Sequence, residues 1–196
     1  MSFLKKLFGD NKKNEVDKKP NIDNLLLNDT DKLIMNLDTY LCELSSYGDE
    51  LEKLTESQKT FYFNQYLEKE INNGGFNQYF YNSSGDFSHQ TLISLRQINA
   101  TKTANILQLA IDQFPNSAVP KDRSERQKIL GKIEEKAEEA WEQLDKKFLE
   151  YEDNLYDLNI DFINQNRSSF YWKRRRLCVQ QGVLQYWGGR NNNEHL

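Results

Sequence analysis

The stretch that decides the fold is NNGGFNQYFYNSSG, residues 72–85. Its glycines match neither a P-loop nor a GxGxxG pattern between a strand and a helix, so a phosphate cradle is not predicted. They follow an apolar-periodic segment, where a glycine of positive φ closes a last helical turn at little cost. We therefore predict a structural corner at residues 73–75, followed by a short helix that carries Phe76, Tyr79 and Phe80.

The same stretch ends in a second corner at residues 82–85. Asparagine, serine and glycine favour turns, and these residues can also cap the helix that follows. A binding loop remains the alternative to a purely structural corner, because four polar side chains occur here: Asn72, Asn77, Gln78 and Asn82.

Helical periodicity extends on both sides of the two corners. One helix is predicted from Thr30, and another from Thr55, where Thr55-x-x-Gln58 reads as a capping box. Further helices are predicted over residues 87–98, 101–114, 123–148 and 151–166, with a proline-bounded loop at 115–120. The predicted fold class is therefore all-α, a compact multi-helix domain.

Beyond residue 170 the pattern changes. Two short apolar runs, residues 177–179 and 183–187, flank Gln181-Gly182, which forms either the turn of a small C-terminal hairpin or a break in a helical extension. The segment FYWKRRR, residues 170–176, mixes aromatic rings with four consecutive bases, which is typical of contacts with nucleic acid or acidic lipid. The alternative is that this segment packs on the chain's own acidic domain.

Charge divides the 196-residue chain into three parts. The whole chain has a formal net charge of -4, while residues 1–20 carry +3 and residues 171–196 carry +4, which leaves -11 on residues 21–170. We expect a flexible basic tail over residues 1–28, a helical domain over 29–170 and a basic, aromatic extension over 171–196. The acidic domain should repel free nucleic acid, bind none directly, and attract basic partners.

Localisation follows from what the sequence lacks. It contains no secretory h-region and no run of about 18 apolar residues, and its two cysteines, Cys42 and Cys178, have no metal-ligand spacing. We therefore expect a cytoplasmic protein. The segment FLKKLF, Phe3 to Phe8, predicts either weak membrane contact through amphipathic turns or a plain tail.

The sequence offers no catalytic constellation. His89 and His195 are the two histidines, and neither has a neighbouring cysteine or a carboxylate pair suited to a metal ion. No serine stands in a nucleophile elbow, and no Glu-x-x-His motif occurs. We predict no enzyme, no cofactor and no metal, and an unrecognised hydrolase is the least favoured alternative.

The run EINNGGFNQYF at residues 70–80, followed by NSSG at 82–85, resembles the signature of the bacterial DNA-mimic protein family. The resemblance extends over roughly residues 50–170 and implies a compact helical protein, in a family most of whose members have no assigned function. Asn99 stands where the family pattern has glycine, and asparagine can also adopt a left-handed turn. The motif residues are Glu70, Asn73, Gly74, Gly75, Phe76, Gln78, Tyr79, Phe80, Asn82 and Gly85.

Acidic side chains on the predicted helix 123–148 and just after it form the candidate partner-binding face. Helix residues three or four apart lie about 5–6 Å from each other, close to the separation of successive phosphates along a nucleic-acid strand. The alternative is a solvated face whose acids pair with Lys128, Lys132, Lys136 and Lys146. The proposed face comprises Glu134, Glu135, Glu138, Glu139, Glu142, Asp145, Glu152 and Asp153.

Together, the resemblance and the acidic face predict a non-enzymatic protein-binding module. As a DNA mimic, it would occupy the basic groove of a DNA-binding transcription regulator. The alternative is an immunity-type or general interaction protein that binds through the corner at residues 72–85.

Overall fold

A computed structural model describes residues 20–171 of the chain. In this range it contains eight α-helices and four short 3-10 turns but no β-strand, which confirms the all-α class. None of the described helices is long and apolar enough to cross a membrane. The C-terminal hairpin or helical extension predicted beyond residue 170 lies outside the described residues. The helices are α1 (Ile22–Asn28), α2 (Thr30–Leu44), α3 (Glu56–Tyr81), α4 (Ser88–Gln97), α5 (Thr101–Ile111), α6 (Arg123–Phe148), α7 (Leu155–Gln165) and α8 (Arg167–Phe170).

Side-chain caps fix where several helices begin. The capping box predicted for α3 is present, because Thr55 Oγ1 accepts from the Gln58 amide at 3.2 Å while Gln58 Oε1 accepts from the Thr55 amide at 2.9 Å. Asp29 caps α2 by accepting from the Lys32 amide at 3.0 Å. Asp122 caps α6, whose predicted bounds are confirmed to the residue. Each cap satisfies an amide that the first helical turn leaves unpaired.

A sharp kink divides α3 at Gly74 and Gly75. Gly75 has φ 71° and ψ -167°, a backbone region that is essentially restricted to glycine. The chain then resumes a helical path through the aromatic residues of the motif and ends it at Tyr81. The predicted first corner and the short aromatic helix after it are therefore confirmed.

The second corner forms as predicted at residues 82–85, but it supplies no side-chain cap for the next helix. Asn82 does not cap the next helix with its side chain, since a 3-10 turn, Ser83–Phe87, intervenes before α4. The corner between α4 and α5 forms as predicted, because Asn99 adopts a left-handed φ of 63°. α7 begins at Leu155 rather than near residue 151, because Tyr151 has a positive φ of 47° and Asn154 supplies the cap.

The helix α1 lies in the segment that was expected to be a tail. Its start is capped by Asn21, whose side chain accepts from the Asn24 amide at 3.1 Å, and Ile22 is only 2% exposed. Leu25 and Leu26 pack against the same cluster from the next turn, so the segment offers an apolar face at helical spacing. The expectation of a tail over residues 1–28 is wrong for residues 22–28, and residues 1–19 lie outside the described part.

The helices surround two hydrophobic clusters that share α3. The first cluster joins the second half of α3 to α4, α5 and α6, with Phe76, Phe80 and Trp141 at its centre. The second joins the first half of α3 to α1, α2, the end of α7 and α8, and contains Ile22 and Phe170. Helix α6 and the two ends of the described chain therefore belong to different clusters.

We expect the substitution Gly75→Ala to destabilise the fold by about 3 kcal/mol, because alanine is strained in this backbone region and its Cβ collides with Asp145. An added Cβ would lie 2.1 Å from Asp145 Oδ2. The matched control is Gly131→Ala in α6, where a Cβ would meet nothing within 4 Å. This control should stabilise the protein by about 0.5–1 kcal/mol. Urea unfolding of both variants checks the prediction, and equal effects would contradict it.

Candidate functional site

The second corner of the motif is held by one buried side chain, Arg126 of α6, which is 0% exposed. Its Nε donates to the carbonyl oxygen of Phe80 at 2.6 Å, and its Nη2 donates to that of Asn82 at 2.8 Å. Nη2 also forms an ion pair with Asp86 Oδ1 at 2.5 Å. Nη1 donates to two carbonyl oxygens of the loop before α6, that of Pro120 at 2.8 Å and that of Lys121 at 3.2 Å.

Gly85 is required by the close approach of this arginine. A Cβ at this position would lie 2.7 Å from Arg126 Nε and 2.8 Å from the carbonyl oxygen of Phe80. No side chain fits at these separations, so the last residue of the NSSG corner must be glycine while Arg126 holds its place.

A half-buried carboxylate, Glu70, accepts hydrogen bonds from three polar side chains of the motif. Glu70 Oε2 accepts from Gln78 Nε2 at 2.7 Å and from Asn82 Nδ2 at 2.9 Å, and Oε1 accepts from Ser84 Oγ at 3.3 Å. These bonds connect the helix before the kink to the segment after it. Gln78 and Asn82, which the binding-loop alternative requires for a partner, are thus used inside the molecule.

Asn72 and Asn73 lie just before the kink and are exposed. The Asn72 side chain donates to the Glu68 carbonyl and to the hydroxyl of Tyr151, both at 2.8 Å. Asn72 therefore joins α3 to the turn that follows α6.

The aromatic residues of the motif, Phe76, Tyr79 and Phe80, are each 0% exposed. The Phe80 ring lies 5.4 Å from that of Trp141, centroid to centroid. The Tyr79 hydroxyl bonds to Thr91 Oγ1 at 3.1 Å, and burial raises the pKa of Tyr79 to about 12. These rings form the centre of the first cluster, so their role in the motif is packing.

Three of the predicted partner-binding acids make bonds within the molecule. Asp145 Oδ1 accepts from the Phe76 amide at 2.9 Å, at the start of the helical segment after the kink. Burial raises the pKa of Asp145, although that amide bond acts in the opposite direction. Asp153 accepts from the Thr103 amide at 2.8 Å in the first turn of α5, and Glu152 pairs with Lys102 at 2.6 Å.

Four other acids form a continuous exposed row on α6, which we call the acidic ridge: Glu135, Glu138, Glu139 and Glu142. Their spacings of three and four residues put them on one side of the helix, over about 10 Å along its axis. None of them forms an ion pair with another residue in the range 20–171, so the pairing with nearby lysines that the alternative interpretation requires is not seen there. The side chain of Glu134 lies outside what the structure describes.

A comparison with protein families matches residues 52–166 to the model described as DMP19-like protein. The chain belongs to the DMP19-like family. The match covers the motif, Arg126 and the acidic ridge, and it confirms the resemblance drawn from the NGGF signature. No curated protein and no solved structure matches the chain.

Two features of this DMP19-like chain were missed by sequence reasoning, Arg126 and its partner Asp86. A signal for Arg126 was available, because it stands on the apolar stripe of α6, four residues before the buried Leu130. A charged residue on such a stripe is almost never fully buried unless it is paired. Nothing in the local sequence, however, indicates which carbonyl groups it binds.

Two further titratable side chains of the DMP19-like chain, His89 and Cys42, have contacts inside the molecule. Among residues 20–171, no group of three or more His, Cys, Asp and Glu side chains could hold a metal ion. His89 Nε2 accepts from the Val119 amide at 3.3 Å, which ties the start of α4 to the loop before α6. Cys42 is buried in the second cluster, and this burial raises the pKa of its thiol to about 11.

We expect the substitution Arg126→Met to destabilise the protein by about 3–5 kcal/mol, since it leaves four carbonyl groups and Asp86 without their donor. The matched control is Arg123→Met, one turn earlier, because Arg123 is exposed and its Nε reaches only the Tyr81 carbonyl at 3.2 Å. That change should cost less than about 1 kcal/mol. Urea unfolding measures both, and a mild effect at Arg126 would show that the corner does not depend on it.

We expect Cys42 to react slowly with thiol reagents in the folded protein. Its pKa rises from an ordinary value of 9.0 to about 11, so at pH 8 the reactive thiolate is roughly 100-fold depleted. In a Cys178→Ser variant, the rate of labelling with an aromatic disulfide should increase about tenfold per pH unit up to about pH 10. Labelling in urea serves as the control, and a folded rate equal to the unfolded rate would refute the prediction.

Proposed function

We propose that this chain is a non-enzymatic protein-binding module of the DNA-mimic type, whose acidic ridge occupies the basic groove of a DNA-binding regulator. The observation that carries the proposal is the row of exposed carboxylates on α6 without ion-pair partners in the described chain. Membership of the DMP19-like family supports it.

Geometry and charge support an electrostatic role for the ridge. Neighbouring carboxylates repeat at about 5–6 Å along a rigid helix, so a basic surface that tracks successive phosphates meets a similar series of negative charges. The ridge also stands on a domain of charge -11 over residues 21–170 when the basic termini are subtracted from the total of -4. Such a field accelerates encounter with a basic partner and repels nucleic acid itself.

The corner at residues 72–85 is less suited to partner binding. Gln78 and Asn82 donate to Glu70, and the backbone of the second corner is held by Arg126. A partner that used these amides would have to break bonds inside the protein, whereas a partner of the ridge would not. We therefore favour the ridge over the corner.

The test is capture of cytosolic proteins on the immobilised chain, with elution by a salt gradient. We expect a DNA-binding protein that elutes at moderate salt and that is displaced by duplex DNA, since chain and DNA would compete for one basic groove. The variant Glu135→Gln, Glu138→Gln, Glu139→Gln, Glu142→Gln should weaken capture at least tenfold.

A second variant controls for net charge. Asp49→Asn, Glu52→Gln, Asp112→Asn, Asp161→Asn removes four exposed acids outside α6 and changes the net charge by the same amount. We expect this variant to retain capture within about twofold. A partner lost equally with both variants, or one that DNA does not displace, would overturn the proposal.

A further inference from the structure

A groove of about 370 Å³ lies between the first half of α3 and the outer side of α4. Its apolar lining includes Phe63, Phe87 and Ile93. The rings of Phe63 and Phe87 lie 5.2 Å apart, centroid to centroid, and Ile93 is 56% exposed. These residues belong to the described part of the chain, and the volume of this α3–α4 groove lies in the range of sites for small ligands.

One ammonium group stands beside this apolar lining. Lys121 Nζ lies 5.6 Å from the centre of the Phe87 ring, as a cation over an aromatic face. Lys121 forms no ion pair with any residue in the range 20–171. Its backbone carbonyl accepts from Arg126 Nη1 at 3.2 Å, so the loop is held in place independently of the lysine side chain. The groove therefore presents a positive charge next to apolar surface.

The charges at the opposite end of the groove neutralise each other. There Glu56 and Lys59 form an ion pair of 2.7 Å, and Glu56 stands seven residues before Phe63, about 10 Å along the axis of α3. Between the two ends, Gln97 Oε1 accepts from Thr60 Oγ1 at 2.6 Å, which fastens α4 to α3. The groove thus combines an apolar lining about 10 Å long with a single positive charge at one end that has no counter-ion among residues 20–171.

We propose that the α3–α4 groove binds a small apolar monocarboxylate, with its carboxylate on the ammonium group of Lys121 and its apolar body on Phe87, Phe63 and Ile93. The carboxylate would accept a charge-assisted hydrogen bond, and the body would cover apolar side chains that water now contacts.

Charge and shape favour this ligand class over two others. A phosphate or a polyanion would be repelled by the charge of -11 on residues 21–170. An uncharged apolar ligand would cover the lining but would leave the Lys121 ammonium group without a counter-ion. The groove shares no residue with the acidic ridge, so this proposal does not rest on the proposed function.

The test is a titration of the full, isotope-labelled chain with octanoate, followed by the amide signals in NMR spectra. Octanoate is the probe because its extended chain spans the apolar lining. We expect saturable shifts with a Kd of about 1 mM, largest at the amides of Phe63, Phe87 and Ile93. Octanamide, which has the same apolar body without the charge, should bind at least fivefold more weakly.

Two variants separate the charge of the groove from its apolar lining. Lys121→Met should weaken octanoate binding about fivefold to tenfold and leave octanamide binding unchanged within about twofold. Ile93→Gln should weaken the binding of both ligands about threefold to fivefold. Both side chains are exposed, so neither change should lower the urea midpoint. The matched control, Lys128→Met on α6, removes the same charge and should bind octanoate within about twofold of the parent.

Three outcomes of the titration would overturn the proposal. The first is the absence of saturable shifts up to about 10 mM octanoate. The second is equal weakening by Lys121→Met and Lys128→Met, which would mean that net charge alone governs binding. The third is a set of shifts spread over both hydrophobic clusters, which would mean that octanoate acts as a detergent.

A photoreactive benzophenone side chain in place of Ile93 checks for a macromolecular occupant. We expect no crosslink to protein, since the groove would be open to a small ligand. A crosslink to residues 172–196 of the same chain would assign the groove to that segment, and a crosslink to a second copy would assign it to an interface between copies. Either crosslink would overturn the proposal.

Discussion

The guanidinium of Arg126 is the constraint on which the rest of the first cluster depends. A charge removed from water is tolerated only when its donors are all used, and here every nitrogen bonds to a carbonyl oxygen or to Asp86. These acceptors come from the end of α3, the 3-10 turn after it and the loop before α6, so one side chain fixes three segments. This arrangement requires a glycine at position 85, because no Cβ fits between Arg126 and the Phe80 carbonyl. The NSSG signature therefore encodes a turn shaped around an arginine from α6, a helix distant in the sequence.

Local features of the fold could be predicted from the sequence, and distant contacts could not. The capping box at Thr55, the kink at Gly75 and the left-handed Asn99 each depend on a few neighbouring residues. The bonds Arg126 to Phe80 and Asp145 to Phe76 join residues 46 and 69 positions apart, and they exist only once the helices pack. The acidic face predicted from the sequence therefore contained both acids that bond within the molecule and acids that do not. Only the packing of the helices separates the first group, Asp145, Asp153 and Glu152, from the acidic ridge.

The corner at residues 72–85 and the acidic ridge thus differ in how far their side chains take part in the fold. The polar side chains of Gln78, Asn82 and Ser84 form the hydrogen bonds that shape the corner, and all three donate to Glu70. Within residues 20–171 the acids of the ridge have no such bonds. Helix α6 needs them neither for capping nor for packing, because its opposite side carries Leu130, Trp141 and Phe148 into the first cluster. The corner is therefore part of the fold of this domain, while the fold makes no use of the ridge acids among residues 20–171.

The acidic ridge also destabilises α6, although the fold does not require these acids. Glu135, Glu138, Glu139 and Glu142 form four like-charged pairs at spacings of three and four, and each such pair destabilises a helix by about 0.2–0.5 kcal/mol. Together they cost about 1–2 kcal/mol, and no lysine among residues 20–171 forms an ion pair with them. Local arrangements that lower stability, such as this row of like charges, are concentrated at functional sites. Packing of the opposite face of α6 offsets the cost, and a basic partner would remove it, which is the physical reason why such a ridge favours binding to positive charge.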